Sequence, residues 1–479
     1  MAKDKTDARG LKESKNLHNA HNWKQLAKWS DDGYFNLKTE DTGDITVRLF
    51  LTRDLLLELE DIIYRQIINA TKFPGVCMVV ITPDTHYGYG VPVGCVLMTR
   101  AQDGAIAMGP VGYDIGCGMM SASSEVLADQ ATPEKRLEFN REVMKRVSMG
   151  AGGKSHKLGA VTRTDFNNLI RGGAEYYVEK YGATFDRSRA ERHRIPVSEG
   201  WDVPWGGRGR PERGQDQLGS LGGGNHFIEL QRSEQTGTLF VQVHTGSRGF
   251  GHGMATNYFD VAREEKPDLI KDIDLGYFTP DSRHYSDYLN AVAAGGNYAI
   301  LNRLIIFEQV AEAFKKVFNS DLELVYEISH NLVQKEWHPD FGDVWVHRKG
   351  ATRAFPPNHP EVPEEYREIG QPVLIPGDMG RASWVLLGQP GSMEQTFGSA
   401  CHGAGRLLSR TAAAKLAQGR TIEHELRSRG VIAQARSWQG LAEEQPEAYK
   451  DVDLVVEVVH RAGLAKKVVR LRPIGVIKG

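Results

Sequence analysis

The sequence predicts a mixed α+β fold, one large domain over residues 1–479 in which mixed β-sheets are surrounded by helices. Short β-branched apolar runs recur along the chain and end in Gly, His or Asp. Longer stretches between them carry apolar residues at helical spacing. The two kinds of element alternate without a steady βαβ rhythm, which argues against a TIM barrel or a plain Rossmann sheet. Length alone would suggest more than one domain. No Pro-rich or Gly/Ser-rich linker, low-complexity tract or solenoid repeat marks a boundary, however.

Taken in order, residues 1–22 are polar and are expected to form a flexible N-terminal segment. Asp54–Ala70 has the spacing of an amphipathic helix. Val76–Ile81 (VCMVVI) reads as a buried strand that runs into Pro83-Asp84-Thr85-His86. Four further strand-like runs lead straight into polar residues. Leu239–Val243 precedes His244, and Leu322–Ile328 precedes Ser329-His330-Asn331. Val344–Val346 precedes His347-Arg348-Lys349, and Val373–Ile375 precedes Pro376-Gly377. Helices are expected at Pro133–Val147, Tyr288–Phe318, Gly405–Ala417 and Val452–Ala462. In such a fold the sheets are the rigid support and the loops at strand ends carry the chemistry.

Lys and Arg number 59 against 61 Asp and Glu, a net charge of -2, so the chain as a whole has no affinity for polyanions. A nucleic acid would need a local basic patch. Arg187–Arg194 (RSRAERHR) and His347–Arg353 (HRKGATR) are two candidate tracks, with a solvated charged face as the equal alternative for each. Cys77, Cys95, Cys117 and Cys401 include no C-x-x-C pair and are too few for a disulfide framework, which suits a reducing compartment. The N-terminus has no apolar signal core and no run reaches the length of a membrane span. The expectation is a cytoplasmic protein without a membrane partner.

Six polar clusters could do chemistry: Asp114-Ile115-Gly116-Cys117-Gly118, Gly222 to Glu229, His244 to Gly249, Ser329-His330-Asn331, Pro376 to Gly380, and His402 to Arg406. Singly each signal is weak, because a lone histidine at a strand end is more often a hydrogen-bonded structural group. Together, Asp, Cys and three His at glycines or strand ends make a metal set for one or two divalent ions. Ligand softness alone points to zinc. A cysteine can bridge two ions, which would give the clamp used in phosphoryl chemistry. His402 opens a Gly-Ala-Gly-Arg loop that leads into a helical pattern, so loop amides, the helix N-terminus and Arg406 could all meet phosphate oxygens. An imidazole there could ligate metal or attack phosphorus to give a phosphoramidate.

The blocks PDTHYGYGVPVG, VGYDIGCG, LGGGNHFIEL, VHTGSRGFGH, SHNLV, VHRKGATRAFPP, CHGAGRLLSR and LRPIGVIKG resemble, in order from Pro83 to Gly479, the RtcB RNA-splicing ligases. The set is highly specific, although no single block would be. The resemblance implies that Asp114, Cys117, His226, His244 and His330 ligate two Mn2+ ions, with Cys117 bridging. It implies that His402 takes GMP from GTP. Asn225, Phe227, Glu229, Ser383, Ala404, Gly405, Arg406, Tyr449 and Lys478 sit where family members contact the guanine nucleotide. Asn331 and the loop Pro376, Gly377, Asp378, Met379, Gly380 match the same pocket, and Asp84 and His86 match a further polar block near the reaction centre. The implied substrate is RNA, as tRNA halves or broken strands, with archease as an activating partner.

Four departures from the family pattern stand out. Met119-Met120 replaces a Val-Arg and removes a cation, Asp378 replaces a serine, and Arg381 and Trp384 replace a threonine and a tyrosine. A carboxylate near a triphosphate repels it unless paired, and Arg381 is placed to be that partner. The alternatives are a metal-dependent RNA phosphodiesterase without guanylylation, or a non-catalytic RNA-binding protein on the same scaffold. The intact ligand set and His402 argue against the latter.

Overall fold

The chain first lays down β1 (Lys28–Ser30), β2 (Tyr34–Leu37), β3 (Thr46–Leu49), β4 (Val76–His86), β5 (Val93–Arg100), β6 (Ile106–Ala107) and β7 (Gly118–Leu127). There follow β8 (Phe227–Ser233), β9 (Thr238–Thr245), β10 (Tyr277–Phe278), β11 (Glu323–Ser329), β12 (Asn331–His338), β13 (Gly342–Lys349) and β14 (Ala351–Arg353). The last five are β15 (Pro372–Ile375), β16 (Ser383–Gly388), β17 (Ser399–Cys401), β18 (Ile432–Ala435) and β19 (Ala465–Lys478). These assignments come from a computed structural model that describes residues 17–159, 161–183 and 195–479. The basic stretch Arg187–Arg194 and residues 1–16 of the N-terminal segment lie outside the described residues. Of that segment, His18 and Asn19 donate their backbone N–H groups to the Asp41 carboxylate, each at 2.9 Å.

Among the described residues two large sheets dominate. One runs β1-β2-β3-β4-β5-β13-β12. The other runs β11-β7-β9-β8-β19-β16-β15, with β18 attached to β19. Pairing is mostly antiparallel, but β3 with β4 and β18 with β19 are parallel, so both sheets are mixed. One apolar core lies between the second sheet and the helices Pro133–Arg146, Arg163–Tyr181, Arg248–Glu265 and Tyr285–Phe318. A second core joins the first sheet to the helices Ile62–Ala70 and Val452–Arg461. The α+β class follows directly. Among the described residues no helix is long and apolar enough to cross a membrane.

Two helices differ from expectation. Asp54–Ala70 breaks into Arg53–Glu58 and Ile62–Ala70, because Leu59 turns extended. The carbonyls this frees at Leu57 and Leu59 accept from Lys24 Nζ, at 3.0 and 2.5 Å. The Gly405–Ala417 pattern yields a helix only over Arg410–Leu416, with Ser409 as N-cap through a 3.2 Å bond from Ala412 N–H. Residues 405–409 are therefore loop, and no helix N-terminus stands directly behind His402.

Candidate active site

Antiparallel pairing explains why scattered residues meet. In register, Gly118 of β7 faces both Thr245 of β9 and Ser329 of β11. Phe227 of β8 faces His244 and also Lys478 of β19. The starts of β7 and β8 and the ends of β9, β11 and β19 thus share one end of the eight-stranded sheet. Asp114, Cys117, His226, His244 and His330 all sit at that end. Arg303, fully buried on the long helix, ties it together. Its guanidinium donates to the carbonyls of Gly116 (2.8 Å) and Thr245 (2.9 Å), to Ser329 Oγ (2.8 Å) and to Glu327 Oε1 (2.5 Å). Gly116 has φ +73°, and a Cβ there would lie 2.8 Å from Gly296 Cα, so the Asp114–Cys117 loop can seat against the helix only through glycine. Gly246 is similar, since a Cβ there would stand 2.3 Å from Asp114 Oδ2.

The donor atoms form two overlapping sets, Asp114–Cys117–His226 and Cys117–His244–His330, each with its atoms within 4.8 Å of one another. Cys117 Sγ is common to both, 3.7 Å from His226 Nε2 and 3.3 Å from His244 Nε2. His226 Nε2 lies 3.2 Å from Asp114 Oδ2, and His244 Nε2 lies 3.4 Å from His330 Nε2. The far nitrogens are already engaged: His226 Nδ1 with the Leu221 carbonyl at 2.9 Å and His244 Nδ1 with the Asn225 carbonyl at 3.1 Å. Such bonds fix the tautomer that leaves Nε2 as a lone-pair donor. Ser247 N–H and Oγ hold Asp114 Oδ1 at 3.0 and 3.1 Å.

Burial, then the neighbouring histidines, depresses the pKa of His244 and His330 well below the imidazole range. Burial, then the Asp114 charge, pushes the Cys117 thiol up. Burial also pushes Asp114 up, but the His226 hydrogen bond and charge outweigh it and hold the carboxyl below its usual range. Two imidazoles kept neutral by burial, His244 and His330, together with His226, a thiol and one carboxylate, fit one or two divalent cations, whose charge would draw the proton from sulfur. The side chain of Asp114 is 31% exposed against 7% for His226, so the cluster opens to solvent on the Asp114 side.

His402 arrives from the other side, directly after β17, which pairs with β14. Its ring stands 4.6 Å from that of His330. The partner of its second nitrogen, which the sequence does not identify, is Asp84: His402 Nδ1 lies 2.6 Å from Asp84 Oδ2, and His402 N–H also reaches that oxygen at 3.2 Å. Thr82 Oγ1 donates to Asp84 Oδ1 at 2.5 Å. Burial raises the Asp84 pKa, but His402 outweighs it and keeps the carboxyl below its ordinary value. His86 is held by burial at about 4, with Nδ1 2.9 Å from the Asp84 carbonyl. Lys450 Nζ clamps this segment through the carbonyls of Pro83 (3.1 Å) and Thr85 (2.6 Å).

The residues matched to a nucleotide lie on β8, β16, β19 and the loops around them. Ala404 N–H donates to the Pro376 carbonyl at 3.0 Å. Ser383 Oγ accepts from Gln231 Nε2 at 3.2 Å and from Gly377 N–H at 3.4 Å. Glu229 is buried, accepts from Gln231 at 2.8 Å, and is pushed up to about 7 by burial. Lys478 Nζ sits 5.1 Å from the Phe227 ring centre. Asp378 does pair with Arg381, at 3.0 Å, and also accepts from the amides of Gly380 and Arg381. Met379 is packed in a small apolar core with Ala417, Ile422 and Leu426. Asn331 is spent on architecture, donating to the Asp114 carbonyl (3.1 Å) and accepting from Gly350 N–H (2.9 Å).

Two expectations need correction. Arg406 does not present an uncommitted cation. Its guanidinium donates to the carbonyls of Leu408 and Glu443, to Glu444 Oε1 and to Tyr449 Oη. His347–Arg353 is no basic track. His347, Arg348 and Lys349 are buried, and Arg348 is bonded bidentately to Glu336 at 2.6 and 3.0 Å. Lys349 Nζ donates to the carbonyls of Tyr89 and Val91. These cations serve the fold. The sequence also missed Glu444, which is buried and receives Arg406, the Tyr449 hydroxyl, Arg410 at 3.5 Å and Lys478 at 4.0 Å. No motif marked it. Met119 and Met120 are fully buried, and the cation beside Glu327, which pairs with Met120 across the strands, is Arg303.

Among the described residues, this α+β fold gathers a thiol, a carboxylate and three imidazoles that could hold metal, beside a carboxylate-held histidine. The family model described as tRNA-splicing ligase RtcB matches residues 66–479, and the chain belongs to that family. It is 40% identical over 465 residues to the tRNA-splicing ligase RtcB of Pyrobaculum aerophilum, covering 91% of this chain and 95% of that protein. It is 40% identical over 445 residues to the tRNA-splicing ligase RtcB of Thermococcus kodakarensis, covering 88% and 92%. The RNA-splicing ligase RtcB of Mycobacterium tuberculosis is 39% identical over 436 residues, covering 86% of this chain and all of that one.

Proposed function

We propose that the protein is an RNA ligase of tRNA splicing or RNA repair, using GTP and two Mn2+ ions to join RNA 3′-phosphate or 2′,3′-cyclic phosphate ends to 5′-hydroxyl ends. The observation that carries this is the His402 corner. A buried carboxylate 2.6 Å from Nδ1 fixes the ring and leaves Nε2 as the nucleophilic edge, 4.6 Å ring to ring from a candidate ligand. In the first step Nε2 attacks the α-phosphorus of GTP, the P–N bond forms and pyrophosphate leaves. In the second, an oxygen of the RNA 3′-phosphate takes the GMP and the P–N bond breaks. In the third, the 5′-hydroxyl attacks the activated phosphorus, loses its proton and displaces GMP. Water opens a cyclic phosphate beforehand.

Asp114, Cys117, His226, His244 and His330 would hold the cations, whose charge would neutralise phosphate oxygens. Asp84 stabilises the positive charge that develops on the His402 ring as it attacks. Glu229, Lys478 and Phe227 would line the guanine nucleotide's site.

Incubation with Mn2+ and α-labelled GTP, followed by RNA carrying defined ends, tests this. Acid-labile label on the wild type but not on His402→Ala, and sealing of 3′-phosphate or 2′,3′-cyclic phosphate ends to 5′-hydroxyl ends but not of 3′-hydroxyl or 5′-phosphate ends, are the expected results. Retained manganese without label would favour an RNA phosphodiesterase. Reconstitution with Zn2+ in parallel separates the family's metal from the one ligand softness suggests.

A further inference from the structure

We propose that Tyr87, Tyr89 and His252, backed by the packed ring of Tyr113, form a stacking platform for the nucleobases at an RNA end beside the open mouth of the metal cluster. This rests on the RNA-ligase reading and names a part of the substrate site. The loop that follows β4 is unusual in how its backbone and side chains divide their roles. Its backbone is fixed from below. The Gln66 amide pairs with both the N–H and the carbonyl of Gly88. Asn69 Nδ2 donates to the Gly90 carbonyl at 2.8 Å, and Lys349 Nζ donates to Tyr89 O at 2.6 Å and Val91 O at 3.0 Å. Yet Tyr87 is 48% and Tyr89 62% exposed. Two buried polar side chains, Gln66 and Lys349, and the half-buried Asn69 thus hold a loop whose two aromatic rings face water.

The rings continue toward the cluster. Tyr89 meets Tyr113 edge to face at 5.9 Å, and Tyr113 stacks on exposed His252 at 5.4 Å with 28° between planes. Tyr113 immediately precedes Asp114, the ligand on the side where the cluster opens. Its hydroxyl is anchored to Asp274 Oδ1 at 2.7 Å, and Asp272 Oδ1 in turn accepts the Asp274 N–H. Of the cations near the rings, Arg65 lies beside Asp272 as well as Tyr87, and Arg208, near Tyr113, is paired with Asp260 at 2.8 Å, so what Tyr87 and Tyr89 themselves add to this surface is their π-faces. Single-stranded nucleic acid is bound in that way by aromatic rings, without regard to sequence. A strand stacked here would have its terminal phosphate or hydroxyl directed at the Asp114 side of the cluster.

The test is fluorescence anisotropy with short single-stranded RNA bearing either a 3′-phosphate or a 5′-hydroxyl, alongside histidine labelling by GTP on the same preparations. Tyr89→Ala should weaken binding of at least one end type by about 10- to 100-fold, the range for loss of one stacked base. Tyr89→Phe should bind as wild type, Tyr87→Ala should weaken the same end type, and an abasic terminal nucleotide should mimic the alanine change. The loss should be the same at low and high salt, because no phosphate contact is removed. Labelling with GTP should be unchanged in every variant. Full affinity in both alanine variants, or a loss in Tyr89→Phe equal to that in Tyr89→Ala, would overturn the platform. Failure of the ligase reading itself is distinct: it would appear as absence of label on the wild type.

Discussion

The molecule holds its functional histidines in two ways. At the end of the eight-stranded sheet, His226 and His244 are steadied through Nδ1 by backbone carbonyls. At the end of β17, His402 is steadied through Nδ1 by a buried carboxylate. A carbonyl orients an imidazole without adding a net charge that favours the cation, and His226 meets a carboxylate, Asp114, only at its other nitrogen. A carboxylate orients it too, and also favours positive charge on the ring, as attack on phosphorus demands. The rings of His330 and His402 are close neighbours, yet the two corners are built for different tasks.

Breaking one corner at a time gives the largest effects. Cys117→Ala removes the sulfur common to both donor sets, so elemental analysis should find both cations lost. His402→Ala should keep its metal and lose all label from GTP. Loss of metal in His402→Ala would mean that the second corner is merely part of the first. Asp84→Asn comes next. It keeps the shape and removes the charge, and the labelling rate should fall by about a thousandfold or more, the scale seen when a carboxylate that orients a reactive imidazole is neutralised. Metal content should not change. Ser247→Ala removes one of the two bonds from Ser247 to Asp114 Oδ1, and Mn2+ affinity by titration should drop by about tenfold. The smallest effect concerns Glu229, a buried carboxyl steadied by an amide. Its pKa is raised to about 7 by burial, so its favourable contribution is complete below the ordinary carboxyl range and is lost as pH climbs through about 7. Glu229→Gln should therefore raise the melting temperature at pH 8.5 and leave it nearly unchanged at pH 5. A gain at both pH values would point to packing instead of charge.

That Asp114, Cys117, His226, His244 and His330 would gather was legible because they lie in glycine-rich loops or where a strand meets a loop. The α+β class was legible from the same runs. What escaped was mostly long-range pairing. Asp84 and His402 are 318 residues apart, and nothing local in either motif names the other. Arg303 looks like one more residue in an apolar helix, and its role as a clamp exists only once three strand ends lie beneath it. His347–Arg353 looked like a track for phosphates because charge was counted without its partner, Glu336. The helix expected from Gly405 starts five residues late. Leu407 and Leu408 supply the apolar spacing, but their N–H groups both donate to the Ala448 carbonyl, so the turn cannot begin there.

The position of β19 bears on how the chain acquires its shape. Residues 465–478 are inserted between β8, which ends at Ser233, and β16, which ends at Gly388. Until that late segment docks, β8 and β16 each present a naked edge to the cell's other chains. Assembly of so non-local a sheet is slow, and the intermediate is prone to clumping. Recovery from denaturant should accordingly be limited by arrival of this strand, and a helper that shields open edges should speed the return of metal uptake.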